Sequence, residues 1–282
     1  MLIVGCGYIG RTLGARSTLA GRPVTGVVRT RENALILERI GILPLVCDLD
    51  GEDIPADPYD EIYYFAPPPT AGNTDPRIRR FLGKLADMGH TPRIVYTSTS
   101  GVYGDCGGEW VDETRPVRAV TDRAHRRLDA EQALFEWSGK SGGKVIILRV
   151  AGIYGPGRLP VESLRRKTPV IHPSEASWTN RIHAEDLVTV CQAAMASGVD
   201  RGTYNVSDGH PGTMTEYFNL VADLAGLERP PVLSRAEAEE KLPASLMSFL
   251  RESRRLDNSK MVNELGVQLK YSVLKEGVLA SF

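Results

Sequence analysis

Leu2-Ile3-Val4-Gly5-Cys6-Gly7-Tyr8-Ile9-Gly10 is the stretch that decides how this 282-residue chain folds. Three apolar residues run into glycines spaced G-x-G-x-x-G, and an amphipathic segment follows with Leu13 and Leu19 as expected core contacts. A strand turning sharply into a helix produces this pattern. One glycine makes the turn, one lets backbone approach a pyrophosphate, and one lets helix and strand pack closely. The helix start adds unpaired N–H groups and the positive end of its dipole. Gly5, Gly7, Tyr8, Ile9 and Gly10 are therefore the expected contacts to a dinucleotide's diphosphate.

Downstream the chain alternates strand and helix signals. Strands are expected at Pro23–Arg29, Leu43–Leu49, Glu61–Ala66, Arg93–Tyr96, Lys144–Val150 and Thr203–Val206, with helices near Glu32–Ile40, Pro76–Met88 and Asp122–Trp137. Thr121 or Asp122 caps the last of these. Such alternation implies an α/β fold, a doubly wound parallel sheet with helices on both faces. A further helix opens at Asn180–Asp186 and runs to Met195. Others are expected at Thr215–Ala225, Arg235–Leu242 and Ser245–Arg251, and Ser234 to Glu237 fits a capping box.

The end of the second strand meets the adenosine ribose in dinucleotide folds. An acidic residue there suits NAD, whereas Arg29-Thr30-Arg31 offers guanidinium groups that suit a 2′-phosphate, so NADP is favoured over NAD. Asp48, followed by Leu49, is either an acceptor for the adenine amino group or a turn residue. Ala66, Pro67 and Pro68 end the fourth strand in a stiff loop, either a wall beside the cofactor or a surface turn. Thr97-Ser98-Thr99-Ser100 sets four hydroxyl residues at the carboxyl end of a strand, where these sheets bind ligands.

Composition narrows the classes. Basic and acidic residues number 34 and 35, which gives no argument for nucleic acid or a membrane surface. The four cysteines lie far apart without C-x-x-C spacing, so reduced thiols in a cytoplasmic protein are expected, with no metal site. No apolar run reaches the length of a membrane span. The apolar start is better used as a strand than as a signal peptide, and whether residues precede Met1 is left open.

GCGYIG at Gly5–Gly10, TSTSGVYG at Thr97–Gly104, DETRP at Asp112–Pro116, LRVAGIYGPGR at Leu148–Arg158, NRIHAEDL at Asn180–Leu187 and YNVSDGHP at Tyr204–Pro211 occur together in the chain. With them the chain resembles the extended short-chain dehydrogenase/reductase superfamily, the NAD-dependent epimerase/dehydratase group. The resemblance implies a Rossmann domain over 1–150, to which 180–206 return, and a smaller substrate-binding domain from 151–179 and 207–282. It also implies catalysis by a Ser/Thr with a Tyr-x-x-x-Lys pair. Thr99 matches the Ser/Thr. The register of the helix before Glu131 puts Arg127 at the Lys position and Arg123 at the Tyr position. No tyrosine lies between Tyr103 and Tyr154, and no lysine between Lys84 and Lys140.

Arginine stays protonated at working pH and cannot cycle a proton as tyrosine does. Arg127 is expected to donate to a ribose hydroxyl or the pyrophosphate, and Arg123 to an anionic substrate group. His125 lies roughly 200° around the helix from the Tyr register and is expected at the surface. Tyr103 either packs or contacts ligand, and His183 is expected to be a hydrogen-bonder at a helix start. Tyr271 to Lys275 is a formal Tyr-x-x-x-Lys without a catalytic place. The chain thus resembles an atypical subgroup that keeps the nucleotide pocket and lacks the catalytic pair. Two readings stay open: an oxidoreductase or epimerase on a small hydroxylated or sugar-like substrate, with Thr99 and Arg127 in the site, and a non-catalytic dinucleotide-binding sensor or scaffold. Family members often dimerise through the Arg123–Gln132 helix, so a homodimer is expected.

Overall fold

The computed structural model describes residues 1–54 and 58–282. Its centre is a seven-stranded sheet of β1 (Leu2–Val4), β2 (Thr25–Val28), β3 (Leu43–Val46), β4 (Glu61–Tyr64), β5 (Arg93–Thr99), β6 (Lys144–Val150) and β7 (Thr203–Val206). The order is β7-β6-β5-β4-β1-β2-β3, and every neighbouring pair is parallel. This is the doubly wound Rossmann arrangement. Its strand order reverses between β1 and β4, which opens a crevice at their carboxyl ends.

Successive side chains point to opposite faces, and both faces are covered, so the strands are apolar nearly throughout. Ile3, Tyr63, Val95 and Ile146 pack under α1 (Tyr8–Leu19) and α2 (Arg31–Arg39). Leu2, Val4, Ile62, Ile94 and Ile147 pack on the other face under α3 (Pro76–Asp87) and α4 (Asp122–Ser141). α5 (Ala184–Ser197) closes the first face. Thr121, whose side chain accepts from Ala124 N–H, caps α4. Beyond the sheet, α6 (Met214–Ala225) and α7 (Arg235–Lys241) each begin with a capping box, at Thr213 and at Ser234, and α8 (Ala244–Leu250) follows. Tyr154, Leu164, Tyr217, Val221 and Val278 form a small separate core beside α6.

Several sequence expectations change here. Leu19 is 90% exposed, because the apolar stripe of α1 is carried by Leu13 with Gly10, Gly14 and Ser17. Arg181–His183 is a short strand parallel to Gly152–Tyr154, so the helix expected from Asn180 starts only at Ala184. β5 runs three residues past the expected end at Tyr96, so Thr97 to Thr99 are its carboxyl-terminal residues. Among the described residues no helix is long and apolar enough to cross a membrane. The four cysteines are buried and free.

Candidate functional site

The glycine turn divides its tasks by geometry. Gly5 has φ +80°, and a Cβ there would come within 2.5 Å of the Ala66 backbone. A Cβ on Gly10 would meet Ile3 at 3.0 Å, so this glycine sets the contact between α1 and β1. A Cβ on Gly7 has nothing nearer than Gly5 O at 4.0 Å. It would project into open space that the protein leaves for something else. Gly7 also caps α1 without a side-chain acceptor, so the first-turn amides keep their hydrogen-bonding capacity for a ligand. Cys6 lies beside this turn, but burial pushes its thiol up to about 12, which removes it as a nucleophile at neutral pH.

Two clefts meet at the turn, and a third adjoins the second. The first, about 390 Å³, is lined by Gly5, Gly7, Arg11, Arg29, Asn33, Asp48, Leu49, Ala66, Pro67 and Arg77 among others. The second, about 470 Å³, is lined by Gly5, Gly7, Tyr8, Ile9, Gly10, Pro67, Thr97, Thr99, Arg127, Ile153 and Arg158. The third, about 330 Å³, shares Thr99, Val150, Ala151, Ile153 and Arg158 with the second and adds Trp178, Arg181, Tyr217, Phe249, Glu252 and Arg254. A continuous groove therefore runs from the end of β2 to α8.

In the first cleft Arg29 is exposed at the end of β2. Asp48 lines the same cleft while its Oδ1 accepts from Asp50 N–H at 3.2 Å, so one carboxylate oxygen serves a turn and the other faces outward. Thr30 caps α2 by accepting from Asn33, and Pro68 and Thr30 do not line any of the three clefts. Sequence reasoning missed Arg11, which directly follows the glycine motif. Its Nη2 donates to Asn33 Oδ1 at 2.5 Å, and Asn33 Nδ2 donates to Thr30 Oγ1 at 3.0 Å. It also missed Arg77, which pairs with Asp50 and donates to Pro67 O at 2.8 Å.

In the second cleft Thr99 Oγ1 accepts from Gly101 N–H at 3.1 Å. A hydroxyl has one donor and two acceptor sites, so its proton remains for a ligand oxygen. Arg127 Nη1 donates to Thr97 O at 2.8 Å and to Tyr96 Oη at 3.1 Å. No carboxylate pairs with Arg127 among the described residues. One helical turn later, Glu131 is buried with Arg149, whose Nη2 lies 2.8 Å from Oε2. Ser98 donates to the same carboxylate, and Arg149 donates to Tyr103 Oη at 3.0 Å. This network ties α4 to β5 and β6 and so fixes Arg127 beside Thr99.

The remaining candidates lie elsewhere. Arg123 stacks on Phe249 at 3.5 Å and donates to Ser248 Oγ at 2.7 Å, so its guanidinium is committed to α8 rather than free for a substrate anion. His125 is exposed. Tyr103 is 1% exposed and donates to Asn205 Oδ1 at 2.8 Å; it packs and does not reach the clefts. His183 caps α5, its Nδ1 accepting from Glu185 N–H at 3.2 Å, and burial lowers its pKa. Tyr271 is buried against the His183 ring at 4.0 Å, outside the three clefts. Among the described residues no group of three His, Cys, Asp or Glu could hold a metal ion.

The NAD dependent epimerase/dehydratase family pattern matches residues 1–207. The chain belongs to this family. Among relatives, Protein YeeZ of Escherichia coli K12 is 29% identical over 281 residues, covering 95% of each chain. A functionally unknown conserved protein from Silicibacter pomeroyi has 31% identity and a TM-score of 0.87, with 99% of this chain and 96% of that one covered. MoeE5, solved with UDP-glucose and NAD, has 21% identity and a TM-score of 0.77 over 99% and 96% of the two chains. At that identity the likeness is one of fold.

Proposed function

We propose that the protein binds a nicotinamide dinucleotide along the first two clefts and a small hydroxylated or sugar-like substrate in the third. The observation that carries this reading is the space in front of Gly7, which a Cβ would enter and which joins the first and second clefts. The residues present fit the cofactor. Tyr8 and Ile9 amides face the diphosphate, and Arg127 donates to the neighbouring ribose or phosphate. The Ala66–Pro67 turn walls the adenosine half. Arg29 favours NADP, because a guanidinium pairs with a 2′-phosphate as a planar donor fork; Arg11, fixed by Asn33, lies on the same wall. MoeE5, the NAD complex of similar fold, supports a nicotinamide cofactor of some kind.

The nicotinamide supplies a hydride donor or acceptor when bound. Thr99 orients the substrate oxygen with its free hydroxyl proton. Arg127 adds fixed positive charge but holds its proton, so the proton exchanged with the substrate passes to water rather than to a side chain on α4. The protein is on this reading an oxidoreductase or epimerase with an altered proton path. The commitment of Arg123 to Ser248 and Phe249 favours the second reading, a dinucleotide sensor without turnover. The portion formed by 151–179 and 207–282 is proposed as the substrate-binding part, and the four unpaired buried thiols support a cytoplasmic address. A screen of aldehydes, ketones and nucleotide sugars with NADPH tests this directly. A substrate turned over by the wild type but not by Thr99→Val supports the enzyme. NADPH binding with no turnover across the screen supports the sensor.

A further inference from the structure

We infer that the ligand of the third cleft carries a carboxylate, held by Arg158 next to the reacting carbon. This deepens the proposed substrate site and rests on that reading. Arg158 stands on the wall shared by the second and third clefts, together with Thr99. Its loop is pinned. Tyr8 Oη donates to Pro156 O at 3.0 Å, Arg158 N–H donates to Gly155 O at 2.9 Å, and the guanidinium carbon sits 4.6 Å from the Tyr8 ring centroid. Gly157, at φ +71°, makes the turn that aims the side chain.

The charge around it is unbalanced. The charged side chains lining the two clefts are Arg127, Arg158, Arg181, Arg254 and Glu252. Glu252 is committed to Arg254 at 2.9 Å. Arg181 is buried, lies over the Tyr217 ring, donates to Thr213 O and has Asp208 near it. Arg127 faces the glycine turn, where the proposed diphosphate would meet it together with the first-turn amides of α1. Arg158 alone makes no side-chain hydrogen bond or ion pair among the described residues. Arg158 is exposed, so its donors are open to a ligand, and a ligand that covers the cation must supply a counter-charge. One free guanidinium presents two parallel donors, which match one carboxylate. Because Thr99 lines the same wall, that carboxylate belongs to the part of the substrate that reacts. The class is a hydroxy acid or sugar acid.

The test titrates matched pairs of probes, UDP-glucuronate against UDP-glucose and D-glucuronate against D-glucose, by calorimetry, with and without NADPH. The wild type is expected to bind at least one acid about tenfold or more tighter than its neutral partner. Arg158→Gln should bring the pair within about twofold, and Arg158→Lys should recover part of the difference. Equal binding of acid and neutral probes overturns the inference. So does discrimination that survives in Arg158→Gln, or no binding of either acid at about 10 mM. If the wild type does not bind NADPH, it is the proposed function that fails, and the acid-to-neutral ratio of the cofactor-free protein still decides the role of Arg158.

Discussion

Arg127 Nη1 donates to the main-chain oxygen of Thr97 at 2.8 Å, so this cation is clamped to the strand that carries Thr99. The clamp leaves the guanidinium lining the second cleft. Among the described residues Arg127 is the α4 side chain that lines this cleft, and it places positive charge there.

The clamp depends on the buried Glu131–Arg149 pair. Removing one partner strands the other charge. Glu131→Ala should therefore destabilise the protein by about 3–5 kcal/mol, whereas a combined Glu131→Leu and Arg149→Met should recover most of that loss. Urea denaturation of the wild type and the two variants measures it. A double variant as unstable as the single one would show that hydrogen bonds to Ser98 and Tyr103, rather than charge, dominate.

Cofactor preference should follow Arg29. Arg29→Asp is expected to lower the NADP-to-NAD affinity ratio about tenfold or more, about 1.4 kcal/mol, since it replaces a charge-assisted donor by a repelling carboxylate. The two titrations need no substrate. A ratio that does not move assigns the 2′-phosphate contact elsewhere, with Arg11 the next candidate.

His183 gives a pH dependence with a definite sign. Burial lowers its folded pKa below the ordinary value of 6.5, and its Nδ1 must stay unprotonated to accept from Glu185. Near pH 6 the unfolded chain binds the proton more readily than the folded one. The stability contributed by neutral His183 is thus present above about 6.5 and is lost as pH falls below it. Melting curves between pH 8 and pH 5 should show a smaller acid-side loss for His183→Asn, which can still cap the helix. An unchanged profile would assign the acid sensitivity to other groups.

The sheet was legible because its cause is local. Strands buried on both faces are written as apolar runs such as Leu2–Val4 and Lys144–Val150, and the glycine spacing marks the crevice. What the sequence hid depends on distant pairing. Arg181–His183 is a strand only because Gly152–Tyr154 lies beside it. Arg123 is spent on Phe249, a partner that no helical periodicity announces. The third cleft collects Trp178, Tyr217 and Arg254 from separate segments, so its charge balance appears only in three dimensions. Arg11 was within reach, since it sits one residue beyond the motif on a helix already placed.

The glycines separate folding from binding. Gly5→Ala puts a Cβ into the Ala66 backbone at a positive φ and should cost about 2 kcal/mol or more of stability. A Cβ at Gly7 comes no nearer to protein than Gly5 O at 4.0 Å, so Gly7→Val should act on the ligand instead.

The most direct test is calorimetric titration of NADPH into the wild type and Gly7→Val, with unfolding of both followed in parallel. The account predicts one-to-one binding by the wild type, and for a folded Gly7→Val an affinity lower by about a hundredfold or more, about 2.7 kcal/mol. Equal affinity in the two proteins, or no binding by the wild type, would contradict it.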